Sequence, residues 1–428
     1  MANCTFVDDR RQVAGRDGPR QDRGLGARPA RRPSTAKLWE MIVSTARKIA
    51  IACQGGGIHG AFTCGVLDRI LEAAETGAHD FEIIGLSGTS AGALNAFMVW
   101  YGMLDAPANR FTAARGAVNR LWDTFQVRKS GESSMNHFAQ LLFKLQGAGL
   151  NFRSPAPALF HDWLMGALHG WSALENSISP GLDLGEIRPE FYDFQRLLAS
   201  CAPRFAEIRG VGKTPRLLIG AVEILSGTFE VFDSHDPRTG PDARPISYEA
   251  VAASGTLPEI RRAQTIPGLQ NEHGQEPLYW DGLFSQNPPV REFVTRAANR
   301  DAIPDEIWVI RINPQRRDQE PKLLAEVEDR RNELAGNLSL NQELHFIQKV
   351  NGWIGKYPKD RCVQDKKPIA IFAITMAPEK ADLDVASKFN RDPAFVAELR
   401  AHGAARGAAF LQLRAGSKAR EWPQDAIP

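Results

Sequence analysis

Gly88-Thr89-Ser90-Ala91-Gly92 stands where an apolar run, Phe81–Leu86, gives way to a helix-like stretch, Ala91–Tyr101. Strand, tight turn and helix in that order lift Ser90 to an exposed apex, the setting of a nucleophile elbow. Glycine is expected on both flanks because a side chain there would collide with neighbouring backbone, and glycine adopts unusual dihedrals without a Cβ penalty. Ser90 has a plainer alternative as a helix N-cap, since its hydroxyl could accept a backbone N–H from the segment that follows. The pentapeptide alone does not choose between them.

The upstream sequence supplies context. Lys48–Cys53 reads as a buried first strand and runs into Gln54-Gly55-Gly56-Gly57-Ile58-His59-Gly60, after which a periodic segment through Glu72 reads as helix. Successive backbone N–H groups converge at such a turn, and with the positive end of the helix dipole they make an anion site. In a hydrolase that anion is the tetrahedral oxyanion. Gly55–Gly60 also satisfies the dinucleotide fingerprint G-x-G-x-x-G. A nucleotide site of that type, however, wants an acidic residue about 20 positions on, at the end of a second strand. Glu72 and Glu75 fall in or just after the helix instead, and the next strand-like run leads into the serine turn.

Far downstream, Leu278-Tyr279-Trp280 reads as a short strand ending at Asp281-Gly282, with Asn287-Pro288-Pro289 opening a further helix, Asn as its cap. Taken alone, Asp281 would be an ordinary turn aspartate.

Gly55–Gly60, Gly88–Gly92 and Asp281-Gly282, with Ala253-Ser254-Gly255-Thr256-Leu257-Pro258 before the aspartate, give the chain its resemblance to the patatin-like phospholipase family in order and spacing. The resemblance implies an α/β three-layer sandwich that cleaves acyl esters with a Ser-Asp dyad. It makes Ser90 the nucleophile and Asp281 the proton acceptor. The backbone N–H groups of Gly55, Gly56, Gly57 and Ile58 would form the oxyanion hole, with Gly60, Gly88, Gly92 and Gly282 as motif glycines. It implies no cofactor and no metal. Two positions depart from the family pattern: His59 stands where Arg or Lys is usual, and Leu283 where Gly or Ala is usual. A neutral His59 would leave the oxyanion without a fixed positive charge.

A carboxylate with a reference pKa near 4 is a weak base for a serine hydroxyl, so a Ser-Asp-His triad is the natural rival. Chain order nominates His345 or His402, but both lie in helical patterns, whereas a triad histidine normally hangs from a loop.

With 428 residues, 43% hydrophobic and 24% charged, the chain can bury a large core. A net charge of +2 gives no case for nucleic acid. Five scattered cysteines without C-x-x-C pairing argue for a reducing, cytoplasmic compartment and against a metal or disulfide framework. No run of about 18 apolar residues occurs, so any membrane contact is expected to be peripheral.

Residues 1–45 read as a disordered basic tail, 46–376 as the catalytic domain with a helical insertion at about 105–212, and 377–428 as a C-terminal helical extension packed on it. Within the insertion, Leu121, Trp122 and Phe125, then Phe138, Leu141, Leu142 and Leu145, then Phe160, Trp163, Leu164, Leu168 and Trp171 recur at helical spacing. Such stripes face a core, and this one is expected also to cap the cleft and line an acyl channel.

Later strands at 216–225, 228–233, 306–312 and 368–375 alternate with helices at 246–253, 288–298, 321–349 and 392–412, which predicts a largely parallel sheet covered on both faces. The expected function is acyl-ester hydrolysis of lipid-like substrates. Acyl transfer, depolymerisation of an intracellular polyester, and a non-catalytic binder of lipid or partner remain as alternatives.

Overall fold

A computed structural model describes residues 46–77, 80–147, 187–208, 215–258, 261–271, 273–376 and 383–415. Phe160, Trp163, Leu164, Leu168, Trp171 and the tail lie outside them.

The frame is an eight-stranded sheet of β1 (Arg47–Cys53), β2 (Phe81–Gly88), β3 (Arg216–Glu223), β4 (Thr228–Asp233), β5 (Gln264–Thr265), β6 (Leu278–Asp281), β7 (Glu306–Arg311) and β8 (Ala370–Thr375). Their order is β5-β6-β3-β2-β1-β7-β8, with β4 also paired to β3. The pairs β1–β2, β1–β7, β2–β3 and β7–β8 are parallel, while β4, β5 and β6 join antiparallel.

Strand alternation sorts side chains into two cores. Ile49, Ile51 and Cys53 of β1 and Trp308 and Ile310 of β7 enter one, whereas Ala50, Ala52, Ile307 and Val309 enter the other. Both faces are apolar, so helices cover both. On the first lie α1 (Gly60–Glu75), α2 (Ala91–Asp105), α3 (Arg110–Phe125), α5 (Phe194–Cys201) and α6 (Tyr248–Ser254), while α4 (Ser130–Gly147) adds no residue to that core. On the second, α7 (Leu324–Lys356) seats Leu340, Leu344 and Ile347. The last helix, α8 (Pro393–Ala415), returns to the first face. The result is the α/β three-layer sandwich expected.

Some local expectations fail. The helix foreseen at 288–298 shrinks to Glu292–Thr295, because the Asn287 side chain bonds a distant segment rather than capping. The two-residue β5 carries too little pattern to be seen in sequence. In the insertion Leu121, Trp122 and Phe125 are buried, but Phe138 and Leu141 are 44% and 52% exposed. Cys53, Cys64 and Cys201 are buried thiols, whereas Cys362 is disulfide-bonded, which runs against the expectation drawn from the unpaired spacing of the cysteines. Among the described residues no helix is long and apolar enough to cross a membrane.

Helices α1 and α8 cross at backbone contact. A Cβ on Gly65 would lie 2.0 Å from Arg400 O, and one on Gly403 2.0 Å from Phe62 O. Substituting Ala at Gly65 or Gly403 is therefore expected to cost about 1–3 kcal/mol or more in unfolding free energy, since neither backbone can withdraw. Gly352 in α7 meets nothing within 4 Å. Its Ala variant should be neutral or stabilising by about 1 kcal/mol, owing to helix propensity. Equilibrium urea unfolding monitored by circular dichroism measures both.

Candidate active site

Two strand ends meet on one residue of β3. Gly88, the last residue of β2, pairs with Ile219, and Asp281, the last of the antiparallel β6, pairs with Ala221. Between them lies Gly220. A Cβ there would be 2.8 Å from Thr89 Oγ1 and 2.9 Å from Gln286 O, and a Cβ on Gly282 would be 2.5 Å from Gly220 O and 3.0 Å from Thr89 Cγ2. Thr89 and Gly282 are thus neighbours over Gly220, and their adjoining residues are Ser90 and Asp281. The positions 90 and 281, far apart in sequence, share one end of the sheet.

Ser90 has φ 57° and ψ −128°, the sole positive-φ non-glycine residue among those described. A side chain in that region is strained by on the order of 1–3 kcal/mol and persists only where its surroundings fix it. Its hydroxyl makes no capping bond to α2, which removes the N-cap alternative. The turn is instead fixed through its backbone. Ser90 N–H donates to Ser254 Oγ at 2.9 Å, and that hydroxyl donates to Gly220 O at 2.6 Å. Thr89 Oγ1 donates to Gln286 O at 2.6 Å. Glycine is required on each flank: a Cβ at Gly88 would sit 2.2 Å from Gly92 O, and one at Gly92 would sit 2.0 Å from Cys53 O.

Asp281 is fully buried, and its Oδ1 accepts the Leu283 N–H at 2.8 Å. Leu283, the bulky residue after Gly282, therefore contributes its amide to the carboxylate.

The glycine turn lies alongside. A Cβ on Gly55 would be 2.7 Å from Ser90 Cβ, and Gly57 has φ 60° with the Lys388 carbonyl 2.5 Å from where its Cβ would be. Three buried amides hold the turn. Gln54 Oε1 accepts the N–H groups of Ile312 and Asn313, Asn287 Oδ1 accepts Gly55 N–H at 2.6 Å, and Asn95 Nδ2 donates to Gly60 O at 3.0 Å. Gly55 N–H is thereby spent on Asn287, and Gly60 N–H returns to Gly57 O and Ile58 O. The expectation that Gly55 donates to an oxyanion is corrected on that ground. Gly56, Gly57 and Ile58 open the short 3₁₀ turn that feeds α1, where helix geometry leaves the first N–H groups without partners in the helix.

His59 is buried, and burial together with the charge of Lys388 drops its pKa to about 3, so it is neutral across the working range. Its Nε2 pairs with Ser387 Oγ at 2.8 Å. Positive charge arrives from elsewhere. Lys388 packs on Gly57, and its ammonium donates to Asn313 Oδ1 at 3.1 Å and to Asn332 Oδ1. Burial pushes its pKa down to about 8, while Glu333, Asp329 and Asp281 pull it up and Arg317 opposes them. Nothing in the sequence marks Lys388, since only the folded chain brings it beside a turn some 330 residues earlier.

The triad candidates lie elsewhere. His345 is exposed on α7, and His402 Nε2 pairs with Met376 O at 3.0 Å beside Phe62. Neither lines the cavity of about 200 Å³ that opens on Ser90. That cavity is walled by Ile58, Leu94, Phe125, Met135, Phe191 and Phe194, with Lys388, Arg261 and Arg391 as its cations. The acids of the rejected nucleotide reading are occupied: Glu72 pairs with Arg69 and Arg115, and Glu75 with Arg115. Among the described residues no cluster of His, Cys, Asp and Glu could hold a metal.

Among solved structures, the chain is similar to VipD from Legionella pneumophila, with a TM-score of 0.30 and 13% identity over 89% of this chain and 78% of that one. It is also similar to a chain of the heterodimeric ExoU–SpcU complex from the type III secretion system of Pseudomonas aeruginosa, with a TM-score of 0.23 and 14% identity over 90% of this chain and 58% of that one. No curated protein matches. The model of the patatin-like phospholipases matches residues 51–294, more than half of the chain and the span that holds the glycine turn, the Ser90 elbow and Asp281, so the chain belongs to the patatin-like phospholipase family.

Proposed function

We propose that the chain is a serine acyl-ester hydrolase acting on lipid-like esters through Ser90 and Asp281. The observation that carries this reading is the convergence of the two strand ends over Gly220. Ser90 Oγ attacks the ester carbonyl and passes its proton to Asp281, and the tetrahedral oxyanion is held by backbone N–H groups of Gly56, Gly57 and Ile58. Collapse breaks the acyl–oxygen bond, and the leaving alcohol takes the proton back from Asp281. Water then attacks the acyl-enzyme, again giving its proton to Asp281, and Ser90 is restored as the acid departs. The Phe125, Met135 and Phe191 wall of the cavity suits an acyl chain.

Ser90→Ala should lower hydrolysis of p-nitrophenyl esters by at least about 10³-fold, in line with loss of an essential nucleophile. Asp281→Asn should turn over at a similarly low rate yet still be labelled, slowly, at Ser90 by a fluorophosphonate. Absence of Ser90-dependent turnover at any chain length would leave a non-catalytic binder as the better reading.

Ser254→Ala removes the acceptor of a buried N–H at the strained turn, a loss of about 1–3 kcal/mol. Turnover should fall by about 10–100-fold while the far-ultraviolet circular dichroism spectrum is retained, because the variant removes only the two hydrogen bonds of that hydroxyl.

Lys388 is protonated below about pH 8 and neutral above it. The groups facing it are Glu333, Asp329, Asp281 and Arg317, so the charge lost on titration is the one beside Asp281 and the glycine turn. Since an ammonium there favours a developing oxyanion, kcat/KM should decline as pH rises through 8, and this limb should be missing from the pH profile of Lys388→Met.

A further inference from the structure

Arg261 and Arg391 wall the Ser90 cavity, and among the described residues neither has an acidic partner. Arg391 donates Nε to Phe125 O at 2.8 Å and Nη1 to Phe191 O at 2.5 Å, and its guanidinium lies 3.4 Å from the Phe191 ring centre and 3.9 Å from that of Phe125. Its Nη2 is buried with no hydrogen-bond partner. Arg261 spends Nη2 on Tyr192 O at 2.6 Å and stacks at 3.9 Å on Phe194. Among the described residues no carboxylate lies within ion-pair distance of either. The acids that act on them through space are already engaged. Glu132 is clasped by Arg188 at 2.6 and 2.9 Å, and Asp193 caps α5 by accepting from Gln195 N and Arg196 N.

Carbonyls and aromatic faces orient a guanidinium without supplying a counter-charge, and a half-buried cation without one is costly to hold. Each arginine also opposes the other's charge. Burial pushes Arg261 down to about 10, and Arg391 is held well below its ordinary range. Two like charges on the wall of one cavity, with Arg391 Nη2 still unpaired, suit an anion that takes a charge-assisted hydrogen bond from them.

We infer that Arg261 and Arg391 form an anion-binding subsite of the Ser90 cavity that takes the phosphodiester of an anionic acyl ester while the acyl chain lies along the phenylalanine wall. This rests on the hydrolase reading of the same site. The subsite would make the cavity selective for anionic over neutral lipid esters.

The test compares kcat/KM for lysophosphatidylglycerol with that for the neutral monoacylglycerol of the same chain, in wild type, Arg391→Gln, Arg261→Gln and Arg391→Lys. The anionic-to-neutral ratio should drop tenfold or more in each Gln variant and recover in part with Lys. A ratio that stays constant while both activities fall would assign the arginines a structural role and overturn the subsite.

Inorganic phosphate separates the two sources of the anion. Weak competition against the anionic ester, lost in Arg391→Gln, is expected of a headgroup subsite. Micromolar phosphate binding with no preference for the anionic ester would overturn the headgroup assignment. If neither ester is turned over in a Ser90-dependent way, the hydrolase reading fails, and the subsite is judged by calorimetric binding of lysophosphatidylglycerol to Ser90→Ala. That binding should weaken tenfold or more when Arg391→Gln is added, and unchanged binding overturns it.

Discussion

A positive φ at a residue with a side chain is a standing demand on everything around it, and Ser90 makes that demand at the end of β2. The surrounding structure meets it with contacts that have no slack. Gly88 and Gly92 allow the backbone to fold back on itself, with Gly92 pressed against the carbonyl of Cys53. Ser254 holds the Ser90 amide from across β3, and Gly220 is the floor on which the elbow and the aspartate turn both rest. Strain of this kind keeps a hydroxyl out of the helix it would otherwise cap and turned toward the cavity. On the proposed reading, the same frame that stores the strain also sets the distance between nucleophile and base, because β2 and β6 are both registered on β3.

The electrostatics are arranged with equal economy. His59 stands beside the glycine turn but is buried and neutral, and the cation at that place comes from Lys388 instead. The family pattern and this chain thus reach a positive charge near the turn by different routes. In the former it is local, carried by the residue before the last motif glycine, and here it is borne by a segment beyond the matched residues.

What could be read from the sequence, and what could not, follows from the range of the interactions. Both strand-turn-helix units announce themselves through a change of period and through glycines, which are local properties, as is the Asp-Gly at the end of β6. Period two with no polar face in β1 and β7 likewise foretells a sheet covered on both sides. The supports of the site are invisible by comparison. Asn95, Asn287 and Gln54 are amides whose significance lies in the backbone groups they reach, and Ser254 appeared only as one of several small residues. Lys388, Arg261 and Arg391 look like surface cations until distant segments are folded against them. The helix expected at 288–298 failed for a related reason: the Asn that reads as a cap is recruited by Gly55.

The close crossing of Gly65 and Gly403 bears on how the cavity is closed. The cavity wall includes Lys388 and Arg391, which stand just ahead of α8 in the chain. Closing that side of the cavity is therefore a long-range event, tied to the seating of α8 on α1 rather than to the strands that carry the elbow, the glycine turn and Asp281. A fault at that one crossing would reach the pocket through its flank while leaving the central sheet undisturbed.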